Sequence, residues 1–263
     1  MWGGLFIGTS SDGLDIYFLD VGQGDASLVR LPGEVDILID GGKDKSVLSE
    51  LARALPDSDR YIDLVILSHT QLDHFGGLID VLGRYRVGAF IHNGVPANVS
   101  AWHDLEKVIY EKGVRSVMVR EGDKVTHGQS RLAILGPAKE FLDSKDLNDT
   151  SVVVMLSSEN SRSLFTADIG FRVEEYLAKK YDLSSDVLKV GHHGSKYSSG
   201  SLFLSASIPA VSVISAGKNS YGHPTAEAIK RIKTTGSEVF RTDQDGTVRL
   251  NIKDGRAKIY SLK

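Results

Sequence analysis

From Ile62 to Leu67 the chain is apolar at every position but Asp63, and the residues that follow are Ser68-His69-Thr70-Gln71-Leu72-Asp73-His74-Phe75-Gly76-Gly77. A short, almost unbroken apolar run reads as a strand covered on both faces, which points to a layered α/β fold. Two imidazoles, a carboxylate and an amide so close to the end of such a strand are costly to hold in a loop unless something binds them together. Their spacing lets alternate side chains converge on one point, which suits a divalent cation with mixed nitrogen and oxygen ligands. The plain alternative is a polar loop whose histidines cap the helix that follows.

The same strand-like pattern recurs along the chain. Asp15 to Val21, Ala26 to Leu31, Val35 to Asp40 and Ile62 to Ser68 read as early strands. Later ones are expected over 115–119, 131–135, 151–156, 163–166, 186–190, 211–215, 239–241, 247–252 and 257–260. Helical periodicity lies between them, over 46–55, 99–112, 173–180 and 225–234, the last with Pro224 before its first turn and Gly236 past its end. Strand pairs first, then helices interleaved with strands, predict two sheets with helices on the outside. Residues 14–263 are expected to form one domain, with residues 1–13 as an N-terminal tail.

Composition removes several function classes. Lys and Arg number 31 against 34 Asp and Glu, a formal charge of -3, which excludes a strongly basic wrapper of nucleic acid. Cysteine is absent, so there are no disulfides, no thiolate ligands and no Cys nucleophile, and any metal must be held by His, carboxylate or amide groups. Apolar runs such as Val152 to Leu156 fall far short of the roughly 20 residues of a membrane span. The opening stretch lacks the basic start of a signal peptide.

Three more segments place polar residues directly after or before regular elements. Leu164 to Gly170 carries Asp168 at a strand end, where open α/β sheets bind ligands; a helix N-cap is the alternative. Val187 to Ser195 ends in the adjacent pair His192 and His193, whose side chains diverge, so that one can bind metal while the other handles a proton or an anion. Asn219 to Thr225 brings Tyr221 and His223 to a helix start, or is simply a turn. Two glycine-bearing turns, Asp20-Val21-Gly22-Gln23-Gly24-Asp25 and Asp40-Gly41-Gly42, read as hairpin turns rather than ligand sites. His92, His103 and His127 lie outside these clusters and are expected to be surface or structural.

In this order the segments resemble the metallo-β-lactamase superfamily: Asp40-Gly41 at a strand end, the His69 to His74 loop, and the later Asp168. The phrases Phe18 to Asp25, Lys189 to Ser195 (KVGHHGS) and Tyr221 to Pro224 are similar, more narrowly, to the soluble domain of ComEC-type competence proteins of the DNA-uptake machinery. The resemblance spans Asp15 to Leu250. It implies an α/β fold of the four-layer αββα sandwich type with a metal site at one edge between the sheets.

The resemblance also implies roles. One or two divalent ions, manganese or zinc, would be held in two positions. The first would be offered His69, Asp168 and the weak amide oxygens of Gln71 and Asn148. The second would be offered Asp73, His74, Asp168 and one of His192 and His193, of which His193 is preferred. Gln71 and Asn148 stand where many members of the family carry histidines, which makes the first position poorer and harder, closer to manganese or magnesium than to zinc. Asp20, Asp25 and Asp40 are expected to support the site structurally.

The activity implied is that of a metal-dependent phosphodiesterase, with DNA as substrate and water activated by the cation. Asp73 would orient the water as well as bind metal, and His192 or His223 would protonate the leaving oxygen. The Gly194 backbone, Ser195 and Tyr221 would contact phosphate. Lys230, Arg231 and Lys233 form only a small basic cluster, so a small or cell-wall phosphodiester, such as a phosphorylcholine ester, is the alternative substrate. A binding or regulatory module with impaired catalysis is the other alternative. A protein that follows the competence family would work outside the cytoplasmic membrane.

Overall fold

The computed structural model describes residues 13–263, so the expected tail lies, apart from Gly13, outside the described residues. Strands β1 (Leu14–Phe18), β2 (Ser27–Leu31) and β3 (Val35–Ile39) form an antiparallel meander. Helix α1 (Ser46–Ala54) then crosses to β4 (Tyr61–Ile66), α2 (Leu72–Arg84) to β5 (Arg86–His92), and α3 (Ser100–Glu111) to β6 (Arg115–Met118), each new strand parallel to the last.

A second sheet begins with four antiparallel strands: β7 (Lys124–His127), β8 (Ser130–Gly136), β9 (Val153–Ser158) and β10 (Ser161–Phe165). Helix α4 (Phe171–Lys180), β11 (Val187–Lys189), α5 (Ser201–Ser207), β12 (Val211–Ile214), α6 (Ala226–Lys233) and β13 (Glu238–Arg241) extend it with parallel strands. The hairpin of β14 (Thr247–Lys253) and β15 (Arg256–Leu262) returns to pair with β1. The strand orders are β15-β14-β1-β2-β3-β4-β5-β6 and β13-β12-β11-β10-β9-β8-β7.

Three apolar layers hold these sheets in an αββα sandwich. Between the sheets pack Ile16, Phe18, Ile37, Ile66, Val154, Phe165 and Val213. Leu28, Leu38 and Val65 face the other way, against Val47 and Leu51 of α1, Phe75 and Leu78 of α2, and Leu105 of α3. Leu164 and Leu188 of the second sheet meet Leu177 of α4, Phe203 of α5 and Ile232 of α6. Successive residues such as Ile37 and Leu38 therefore serve different layers, which is why central strands are apolar throughout instead of alternating.

The structure departs from the sequence reading in a few elements. Helix α2 starts inside the histidine motif, so Asp73 and His74 sit on its first turn and not in a loop. The paired glycines Gly76 and Gly77 disguise it, since they read as a turn. Strands β5 and β7 and helix α5 were not anticipated: β5 and β7 are partly exposed and carry polar residues, and α5 has only seven residues.

The glycines of α2 are there for packing. The Gly41 amide donates to His74 O at 2.7 Å and the Gly77 amide to Gly42 O at 3.0 Å, so the helix lies directly on the turn after β3. A methyl group at Gly77 would strike the carbonyl oxygens of Gly41 and Asp44, whereas one at Gly83 meets nothing. Gly77→Ala is therefore expected to lower unfolding free energy by about 1–3 kcal/mol in urea titrations, despite the better helix former. Gly83→Ala is expected to raise it by up to about 1 kcal/mol.

Candidate metal centre

Strands β3, β4, β10, β11 and β12 all end at one edge of the sandwich, and the residues just beyond them meet there. Asp40 follows β3. Its Oδ1 accepts from the Ser68 amide at 2.8 Å and its Oδ2 from the Ser68 hydroxyl at 2.7 Å. The same Oδ2 lies 2.8 Å from His74 Nδ1, and Ser68 Oγ lies 3.0 Å from His69 Nδ1. Because the hydroxyl gives its proton to Asp40, it must accept one from His69 Nδ1. Both imidazoles thus carry their proton on Nδ1, and each turns Nε2 inward with no hydrogen-bond partner.

The second sheet supplies the opposing half. Asp168, beyond β10, places Oδ2 3.4 Å from His74 Nε2 and 3.3 Å from His193 Nε2. His193, beyond β11, donates from Nδ1 to Ser215 O at 2.9 Å, and its Nε2 lies 3.4 Å from Asp73 Oδ2. Candidate ligand atoms of His69, His74 and Asp168 lie within 4.8 Å of one another, as do those of Asp73, His74 and His193. Asp25, Asp168 and His193 form a further such group.

Burial and charge set the protonation of these groups. Burial opposes a charge on His74, yet Asp168 and Asp40 beside it hold its pKa well above the ordinary histidine value. His193 is raised in the same way by Asp168 and Asp25. Burial would push Asp168 up, but His193 and His74 hold it well below the usual carboxylate range. Asp73, also resisted by burial, is drawn down to about 2 by its contact with His193 and the charge of His74. His69 goes the other way, to about 3, because burial and the neighbouring His74 disfavour its charge.

The remaining residues named from sequence occupy distinct places. Gln71 Nε2 donates to Asn148 Oδ1 at 2.7 Å, so the two amides hold each other. Of the adjacent histidines, His193 reaches the cluster, while the His192 ring stands against His223 at 5.4 Å between centroids. Tyr221 is exposed and its ring lies 6.0 Å from that of His223. Ser195 is buried in its own loop, where its hydroxyl accepts from the Tyr197 amide at 3.3 Å, and Gly194 O accepts from the Thr225 amide. Asp20 holds its turn by accepting from the Gly22 amide at 3.3 Å.

Asp25 goes deeper than a hairpin turn requires. Its amide donates to Asp73 O at 3.1 Å, and its side chain pairs with Lys189 and lies 3.3 Å from His193 Nδ1. Gly24, at φ +139°, permits this approach, since a Cβ there would meet Asp73 O.

Two residues of the centre were not picked out from sequence. Ser68 had only its place before His69 to mark it. Lys189 carried a clearer signal, a cation on the same face of β11 as Val187, which packs between the sheets.

The residues present fit a divalent cation. His69, His74 and His193 each have Nδ1 engaged and a buried, unpartnered Nε2, and Asp168 Oδ1 is likewise unpartnered. Buried polar atoms without hydrogen bonds are rare, and the ligand atoms of His69, His74 and Asp168, and those of Asp73, His74 and His193, each gathered within 4.8 Å, suit an ion. Imidazoles and carboxylates so arranged, at the strand-end edge of an αββα sandwich, define a metallohydrolase-type centre.

The comparisons agree with that class. The family described as the metallo-beta-lactamase superfamily matches residues 19–218, and the chain belongs to this superfamily of metal-dependent hydrolases. It is 30% identical to ComE operon protein 3 of Bacillus subtilis (strain 168), over 95% of this chain and 35% of the relative. It is also 30% identical to Competence protein ComA of Neisseria gonorrhoeae, over 93% of this chain and 33% of that one. The chain thus spans about a third of the length of these curated relatives. The crystal structure of the metallo-beta-lactamase fold protein YhfI from Bacillus subtilis shares the fold, with a TM-score of 0.61 at 14% identity, over 90% of this chain and 99% of that one. Among the described residues no helix is long and apolar enough to cross a membrane.

The raised imidazoles have a consequence for pH. In the metal-free protein their pairing with carboxylates stabilises the fold fully below the unfolded histidine value of 6.5 and is lost as pH rises through the higher folded values. A cation must displace these protons. Cation affinity measured by calorimetry is expected to climb between about pH 6 and pH 8, with an enthalpy that depends on the buffer's own ionisation. An affinity independent of pH would show His74 and His193 to be already neutral.

Proposed function

We propose that this chain is a metal-dependent phosphodiesterase, acting as a nuclease on DNA in a competence setting. The observation that carries the reading is the gathering of Nε2 of His69, His74 and His193, none of them hydrogen-bonded, around Asp168, with Asp73, His192 and His223 partly exposed. The competence relatives support the setting.

His69, Asp168 and the amides of Gln71 and Asn148 would hold one cation, of manganese-like hardness; Asp73, His74, Asp168 and His193 would hold the other, which zinc or manganese suits. Such cations, when bound, lower the pKa of water and neutralise phosphate oxygens. The chain's own residues do the rest. Asp40 and Ser68 fix the ring orientations of His74 and His69. Asp73, which is only half-buried, keeps a carboxylate at the rim to orient the attacking water. His223 is held below the ordinary histidine value by burial and by His192 and His193, so it is neutral near pH 7 and suits a hydrogen-bonding role. His192, packed against it at 5.4 Å between ring centroids, is the second imidazole at the rim, and one of the two would protonate the leaving oxygen. Tyr221, which is exposed, would contact phosphate, with the Gly194 backbone as a second contact.

One observation favours the second reading, a small or cell-wall phosphodiester such as a phosphorylcholine ester. Arg231, from the one basic cluster of α6, is spent inside the protein on the carbonyls of Lys196, Ser198 and Ser199 and on Glu227. That leaves little fixed positive charge for a long polyanion, whose binding would lean on the cations themselves.

Hydrolysis of bis(p-nitrophenyl) phosphate, single- and double-stranded DNA and a phosphorylcholine ester, each with Mn²⁺, separates the readings. DNA cleavage is expected, lost in Asp168→Ala and reduced roughly 10–100-fold in Asp40→Ala, which removes the carboxylate that positions His74 directly and His69 through Ser68. Undiminished activity in Asp168→Ala would refute the assignment. Cleavage of the choline ester alone would transfer it to the second reading.

A further inference from the structure

The metal centre contains one residue that neither metal binding nor ester cleavage accounts for. Lys189 projects from β11 into the space between the sheets and is 3% exposed. Its ammonium forms an ion pair with Asp25, lies 3.9 Å from Asp168 Oδ1 and donates to Ala167 O at 3.3 Å. Among the described residues, it is the one lysine or arginine within 4.0 Å of Asp25, Asp40, Asp73 or Asp168. Asp25 belongs to the β1–β2 turn of the first sheet and Lys189 to the second, so the pair also ties the sheets together at the site. Through Asp25 the lysine reaches His193, whose Nδ1 is 3.3 Å from Asp25 Oδ1.

An ammonium so placed has two effects of opposite sign. It supplies charge to carboxylates that would otherwise be buried with too little compensation, which keeps the site assembled without an ion. It also repels any divalent cation that approaches the same carboxylates. A residue that only filled space would do neither.

We infer that Lys189 is the resident counter-ion of the metal centre, holding Asp25 and Asp168 in place before a cation arrives and lowering the affinity with which that cation is bound. This goes beyond the hydrolytic reading and holds whichever ester is cleaved.

The test uses Lys189→Met, a near-isosteric neutral change, alone and with Asp25→Asn, in protein stripped of metal and then titrated with Mn²⁺. Metal-free Lys189→Met is expected to melt about 10 °C lower than the parent. Its Mn²⁺ affinity by calorimetry is expected to rise at least roughly tenfold, because a state destabilised mainly when empty gains more from binding. The double variant, with both partners neutral, is expected to recover most of the lost melting temperature. A lysine with a purely scaffolding role predicts weaker Mn²⁺ binding and no rescue by Asp25→Asn. A metal-free Lys189→Met that melts like the parent, an unchanged or weaker Mn²⁺ affinity, or a double variant that melts as low as the single one overturns the assignment. Should Lys189→Met not fold at all, the double variant decides: folding supports the pair, failure to fold overturns it.

Discussion

Buried negative charge is the constraint around which this molecule is organised. Asp25, Asp40 and Asp168 are each 3% exposed or less, and all lie at the same edge of the sandwich. A carboxylate removed from water is tolerated only when hydrogen bonds and positive charge replace its hydration. Each has such replacement: Asp40 takes the Ser68 amide and hydroxyl and His74, Asp25 takes Lys189, and Asp168 sits between two imidazoles. The compensation still leaves Nε2 of His69, His74 and His193 without hydrogen bonds beside Asp168, and that remainder suits the edge to a metal.

The backbone is shaped to bring these groups together. His192 and His193 adopt consecutive positive φ values of 50° and 52°. Non-glycine residues in that region cost of order 1–3 kcal/mol each. The sharp turn they make sends one ring into the cluster and the other toward His223, dividing two chemically identical side chains between different tasks. On the opposite sheet, Gly24 and Gly77 let the β1–β2 turn and helix α2 approach neighbouring backbone more closely than a side chain would allow. Packing of the apolar layers thus fixes the distances at which the polar edge must work, and the strain stored there is supported by the layers beneath it.

Much of this was legible in the residues. Continuous apolar runs such as Ile62 to Leu67 and Val152 to Leu156 announced strands covered on both faces, and the helices over α1, α3, α4 and α6 followed from periodicity. Strand β5 and edge strand β7 did not, because half-exposed strands interrupted by Gly88 or by polar residues lack either pattern. Helix α2 was hidden by Gly76 and Gly77, whose reason is contact with a turn some thirty residues earlier in the chain. Asp25 was expected to support the site, but its partner was not legible, since Lys189 lies far along the chain and on the other sheet.

The order of polar segments after apolar strands determined, by itself, the layered class and the clusters of side chains suited to a cation, and the same ordered motifs carried the resemblance to the superfamily. Residue type and spacing carry that much because strand ends must emerge at sheet edges and because only certain groups bind cations. Which imidazole of the adjacent pair turns inward, which proton each ring carries, and which lysine neutralises the carboxylates were decided by the tertiary structure alone. Those outcomes depend on distances between two sheets that are far apart along the chain, and hydrogen bonds and Coulomb energies are fixed only once packing has set those distances.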